Sequence, residues 1–326
     1  MIRKLLDIMK LVRFPNLVII ILTQMAMRYL ILEPLLPSAG FTLQFDHFHF
    51  MLLSLATVLI AAGGYIINDY FDTQTDWINR PDRVVVGVSV TRRTAILLHT
   101  LLNILGVGIG IYLSFYIHVR SLSIIFLVAT GLLWFYSTDY KRQFLVGNLS
   151  VAFLTGLVPL MVVLFEIPLL NKAYGHVMLL ANSNFNYMFA WVAGFSFFAF
   201  ITTLIREIIK DLEDFKGDKA YGMKTLPIVL GANITRGVIV FLILGTVGAI
   251  VFVLAKYLLF SESGIDMVSL VYISLTLIVP MLVLVTMVLL AREQKDYHRA
   301  SVTTKLIMLA GILYTVVVAI ILKSGV

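Results

Sequence analysis

The stretch Asn68-Asp-Tyr-Phe-Asp-Thr-Gln-Thr-Asp76 concentrates chemistry-bearing groups. Asp69, Asp72 and Asp76 stand at i, i+3 and i+7, so a helix continuing through them puts three carboxylates on one face. They follow an apolar run, at a helix end whose macrodipole already disfavours negative charge. Such a face calls for a cation. A second octet, Asp211-Leu-Glu-Asp-Phe-Lys-Gly-Asp218, carries aspartate at the same three positions, 142 residues later. Half of the 18 acidic residues lie in the two windows around these octets. With no cysteine in the chain and no clustered histidine, the donors are hard oxygens, which suit Mg²⁺. The ligand order of an EF-hand calcium loop is missing. Mg²⁺ bound in this way usually shares its coordination with substrate phosphates, so a diphosphate is the ligand expected. Arg80, Arg83, Lys141, Arg142, Arg206 and Lys210 flank the clusters and can neutralise phosphate oxygens. Among them Arg80 and Arg83 gain weight from Pro81, which stiffens the loop that carries them.

The elements that must position these residues are membrane helices. Hydrophobic residues make up 60% of the 326 and charged residues 13%, which is far from a soluble domain's mixture. Apolar runs long enough for a hydrocarbon core of about 30 Å occur at 14–32, 48–67, 94–117, 121–138, 144–165, 187–206, 234–258, 267–291 and 303–322. The first is read as a retained span rather than a signal peptide, because it is too long and too far from the small residues at 38–40. With the N-terminus cytoplasmic, 20 of the 25 basic residues fall in cytoplasmic segments. The positive-inside rule therefore gives nine spans in a cell inner membrane, with the C-terminus outside. The net charge of +7 then follows from topology and implies no nucleic-acid partner. No obligate protein partner is evident. The longer cytoplasmic segments, 68–93 and 207–233, both open on an acidic cluster, whereas 166–186 reads as a connection. The matching octets suggest a single domain, 1–326, built on an internal repeat of four-helix units.

If a diphosphate leaves, the organic fragment is cationic. The 39 aromatic residues include Phe126, Trp134, Phe153, Trp191 and Phe198 at membrane positions. As an aggregate they suit a carbocation and an isoprenoid tail.

At these residues the chain resembles the UbiA-type superfamily of intramembrane prenyltransferases. The pattern Asn-Asp-x-x-Asp-x-x-x-Asp after the second helix is complete at Asn68, Asp69, Asp72 and Asp76, and the second motif runs from Arg206 to Gly231. The resemblance implies an all-α, nine-helix bundle with a central lipid-open cavity capped by two Asp-rich cytoplasmic motif loops. It also implies Mg²⁺-dependent prenyl transfer. On that basis Asn68, Asp72, Asp211 and Asp214 hold Mg²⁺ on a prenyl diphosphate. Asp69, Asp76, Glu207 and Asp218 serve as further ligands or as their partners, and Asp72, Asp211 and Asp214 are the catalytic carboxylates.

Arg206-Glu207, Gly222-x-x-Thr225-Leu226-Pro227, Lys141-Arg142 and Gly147-Asn148 are most similar to geranylgeranylglycerol-phosphate geranylgeranyltransferases, which use a lipid acceptor in ether-lipid synthesis. Trp77 stands where the superfamily usually has arginine, and 82–87 lack its common Pro and Ser-Gly. These departures bear on the acceptor more than on the metal. An aromatic acceptor such as 4-hydroxybenzoate is the alternative. A cation transporter is the reading from another class, but the acids gather at helix ends rather than in mid-membrane.

Three further features read as structural. His47-x-His49 is an interfacial anchor rather than a metal pair. Tyr297-His298 is cytoplasmic surface. Gly106, Gly108 and Gly110 are close helix packing.

Overall fold

The computed structural model describes residues 2–36, 40–79, 84–256 and 266–324. Among these residues, nine helices are long and apolar enough to cross a membrane. The chain divides into two compact units, one formed by 1–141 and 157–193, the other by 142–156 and 194–326.

The first unit begins with α1 (Ile2–Leu11) and the first span, α2 (Phe14–Leu35). The joint between them is Arg13, a non-glycine residue at φ 51°. Then come α3 (His47–Asn79), α4 (Arg92–Tyr116) and α5 (Ser123–Thr138). Thr91 caps α4 by accepting the Thr94 backbone N–H at 3.2 Å. Most of α6 (Val146–Leu180) and the start of α7 (Asn186–Glu213) complete the unit. A Cβ at Gly106 would press on Ile60 and the Ala56 carbonyl, and one at Gly110 would collide with the Phe126 ring. Gly108 faces open space, so the packing role belongs to its two neighbours.

One polar knot lies inside this unit. Where α2 widens into a π-turn at Met27–Leu32, Arg28 turns inward and is 2% exposed. Its guanidinium donates to Glu166 Oε2 of α6 at 3.1 Å and to the Phe45 carbonyl, above the Phe50 ring. Glu166, with 0% exposure, also accepts the backbone N–H groups of Gln44 at 2.6 Å and Phe45 at 3.1 Å. A charge in this setting persists only when paired and hydrogen-bonded. The knot ties α2, the segment before α3, and α6 together.

The second unit holds the rest of α7, the short α8 (Phe215–Ala220) and α9 (Leu226–Leu230), and the spans α10 (Ala232–Leu254), α11 (Met267–Leu290) and α12 (Gln294–Ser324). Its core joins Ile205, Ile208 and Leu212 of α7 to Ile239 of α10, Leu284 of α11 and Ala300 of α12.

Two helix ends differ from the sequence expectation. The fifth span continues from the expected 165 to Leu180, so most of 166–186 is helix; Pro159 and Pro168 do not end it. The second span continues to Asn79, which places the whole first motif on helix rather than in a loop. Its 33 residues reach about 50 Å, well beyond a core of about 30 Å. Asn68 is the 22nd residue of α3, and Glu207 is the 22nd of α7. Each helix has therefore risen about 32 Å where its polar cluster begins.

Candidate functional site

In the first unit, Asn68, Asp69 and Asp72 occupy the last turns of α3. The structure gives each acid a cation. Arg13 donates to Asp69 Oδ1 at 3.0 Å and lies over the Tyr65 ring at 5.0 Å. Desolvation lowers the Arg13 pKa, but the charge and hydrogen bond of Asp69 together with Tyr65 and Tyr136 outweigh it and hold the guanidinium above its ordinary range. The left-handed backbone of Arg13 costs about 1–2 kcal/mol, which this ion pair helps to offset. In the sequence Arg13 reads only as a topology signal, since its partner lies 56 residues away. Lys141, in the turn Tyr140–Arg142, donates to Asp72 Oδ1. Asn68 Oδ1 is buried without a hydrogen-bond partner. Asp76 lies on α3, but its side chain falls outside the described residues, as do Arg80 and Arg83 altogether.

In the second unit, Glu207 accepts from Arg206 at 2.8 Å and from Lys210 at 3.3 Å. Asp211 Oδ2 accepts from the buried Asn148 Nδ2 at 2.9 Å. The helix stops at Glu213, so Asp214 sits in a one-residue break and Asp218 is buried on α8. The second motif therefore does not present one continuous helical face. Arg142 exposes its side chain, while its carbonyl accepts the Lys224 N–H at 2.8 Å and holds the segment after α8. Arg206 Nε is a buried donor without a hydrogen-bond partner.

Among the described residues, no three acidic or imidazole side chains converge as a metal cage. The donors nevertheless fit a hard divalent cation. All are carboxylate or amide oxygens, and the orphaned Asn68 Oδ1 is an acceptor one turn from Asp72. The unsatisfied Arg206 Nε suits an anion in the same way.

Other candidates resolve differently. His47 Nδ1 bonds the Tyr29 hydroxyl at 2.9 Å, whereas His49 lies between Asp46 and Tyr112 and stacks on Tyr116. The two imidazoles thus take separate phenol partners, consistent with an anchor. Tyr297-His298 is not plain surface: Tyr297 is buried, and His298 Nδ1 lies 2.9 Å from Glu213 Oε1. Phe126 is core packing, while Trp134 meets Phe71 of the first-motif helix edge-on at 6.0 Å.

Residues 37–310 match the UbiA prenyltransferase family. A digeranylgeranylglyceryl phosphate synthase of Methanopyrus kandleri is 32% identical over 264 residues, covering 81% of this chain and 84% of that protein. The Saccharolobus solfataricus protein of the same name is 34% identical over 183 residues, and that alignment spans 56% of this chain and 57% of the relative. A solved structure described as digeranylgeranylglyceryl phosphate synthase in membranes aligns over 98% of this chain and 99% of its own, with TM-score 0.65 and 23% identity. A UbiA homologue from Archaeoglobus fulgidus, bound to GPP and Mg²⁺, aligns over 95% of this chain and 99% of its own, with TM-score 0.57 and 15% identity. These two likenesses establish a shared fold. With the family pattern matched across residues 37–310 and nine helices among the described residues apolar enough to cross a membrane, the chain is a multi-pass membrane protein of the UbiA prenyltransferase family.

Proposed function

We propose that this protein transfers a geranylgeranyl group from its diphosphate to the free hydroxyl of geranylgeranylglyceryl phosphate, forming an ether bond in lipid synthesis. The observation that carries this reading is the polar end of α3, where the orphaned Asn68 Oδ1 adjoins Asp69 and Asp72, each matched to a cation. The relatives, which are named digeranylgeranylglyceryl phosphate synthase, support this choice of acceptor. Residues 1–326 act as one domain with an internal repeat, with both motifs on the cytoplasmic face of the inner membrane, the N-terminus inside and the C-terminus outside.

Asn68, Asp72, Asp211 and Asp214 would hold Mg²⁺, with Asp69, Asp76, Glu207 and Asp218 as ligands or supports. Bound there, Mg²⁺ supplies Lewis-acid stabilisation of the charge that builds on the departing diphosphate. Arg80, Arg83, Lys141, Arg142, Arg206 and Lys210 add fixed positive charge for the same oxygens. In the overall change, the allylic C–O bond to diphosphate breaks and a C–O bond to the acceptor hydroxyl forms. The hydroxyl proton passes to a base, either an aspartate of the second cluster or the released diphosphate. The apolar spans exclude water from the allylic fragment.

The test is to incubate membranes with radiolabelled geranylgeranyl diphosphate and Mg²⁺, offering geranylgeranylglyceryl phosphate and 4-hydroxybenzoate separately. Label in the doubly prenylated glycerol phosphate is expected. Label in the aromatic product alone would replace the acceptor, and the absence of diphosphate release would remove the transferase reading in favour of a transporter.

A further inference from the structure

The break between α7 and α8 divides the second motif. Glu207 and Asp211 lie before it and Asp218 lies after it, so the joint sets how these carboxylates face one another. Asp218 depends on the same joint, since its backbone N–H bonds the Asp214 carbonyl at 3.1 Å. At the joint stands Glu213, the last residue of α7, with a side chain only 5% exposed. A carboxylate so buried is costly without a hydrogen-bonding partner. His298, from the start of α12, brings its Nδ1 to 2.9 Å from Glu213 Oε1 and can donate there as the neutral Nδ1–H tautomer or as imidazolium.

The partner is itself anchored. Neighbouring Tyr297 accepts from Arg236 Nε of α10 at 2.9 Å and donates to the Ala291 carbonyl, just past α11, at 3.4 Å. The start of α12 is thus fixed to two other spans before it reaches Glu213.

We propose that Glu213 and His298 form a positioning pair that orients the two halves of the second aspartate motif for the metal and diphosphate. This rests on the functional reading above. Neither residue belongs to the assigned ligand set; the pair acts through the joint that carries it. His298 is 56% exposed, so replacing it should leave the fold intact.

The experiment measures Mn²⁺ binding by electron paramagnetic resonance, with inorganic diphosphate present, on the full-length protein in detergent. H298A removes the imidazole N–H, H298F removes it while keeping ring volume, and H298N keeps an N–H donor near the Nδ1 position. Weakening by about tenfold or more is expected for H298A and H298F, with near-wild-type affinity in H298N and an unchanged Tm throughout. In turnover H298A and H298F should raise the Mg²⁺ concentration for half-maximal rate far more than they lower kcat, and H298N should not. Equal Mn²⁺ affinity in wild type, H298A and H298F would overturn the positioning role while leaving the proposed function standing. Absence of Mn²⁺ binding in the wild type would defeat the metal reading, and this inference with it.

Discussion

Lys141 donates a hydrogen bond to Asp72 across 69 residues of sequence, in a pair whose lysine side chain is 9% exposed and whose aspartate is 18% exposed. The ammonium lies where diphosphate charge must be neutralised if Asp72 binds the metal. Lys141→Ala should lower diphosphate release by about 10²-fold, with Lys141→Arg recovering part of the loss. Quantifying released diphosphate at matched protein levels checks this.

The buried pair Arg28–Glu166 predicts a stability effect at the opposite end of α3 from the first motif. Arg28→Met or Glu166→Gln alone strands the other group, and should cost about 3–5 kcal/mol. Replacing both should cost less than the two single changes together. Thermal denaturation in detergent of the four proteins measures the coupling.

Gly110 and Gly108 make a matched comparison on one helix. Gly110→Ala drives a methyl into the Phe126 ring and should destabilise by about 1–3 kcal/mol. Gly108→Ala meets open space and should be neutral or slightly stabilising in the same thermal assay.

Asp46 predicts a pH dependence. Slight burial would raise its pKa, but the His49 backbone N–H, the His49 ring and the Tyr116 hydroxyl outweigh that and hold it at about 2, against an ordinary 3.8. The folded state thus favours the carboxylate, and this stabilisation is present above pH about 4 and fades as pH falls toward about 2. Asp46→Asn keeps a capping side chain and removes the charge. The Tm difference between wild type and variant should shrink across that interval; a constant difference would refute the charge's role.

The spans were legible because each apolar run matches the hydrocarbon thickness, a constraint that needs no tertiary information. Their ends were not, since helices continue once past the lipid: α6 reaches Leu180 and α3 reaches Asn79. The first motif was readable as a face because i, i+3 and i+7 survive on an unbroken helix. The second carries the same spacing across a break at Asp214, which spacing alone does not reveal. Arg13 and Asn148, the partners of Asp69 and Asp211, lie 56 and 63 residues from them, and side-chain type gave no hint of either pairing. His298 looked like surface because the polar first turn of α12 resembles any helix start in water. Its contact with Glu213, 85 residues away, leaves no mark in side-chain type.

The most direct measurement is turnover of geranylgeranyl diphosphate with Mg²⁺ by Asp72→Ala and Asp211→Ala at membrane levels equal to wild type. Loss of product and of diphosphate release in both variants is the predicted result. A wild-type-like rate in either would contradict the assignment of the two aspartate motifs to the metal and diphosphate.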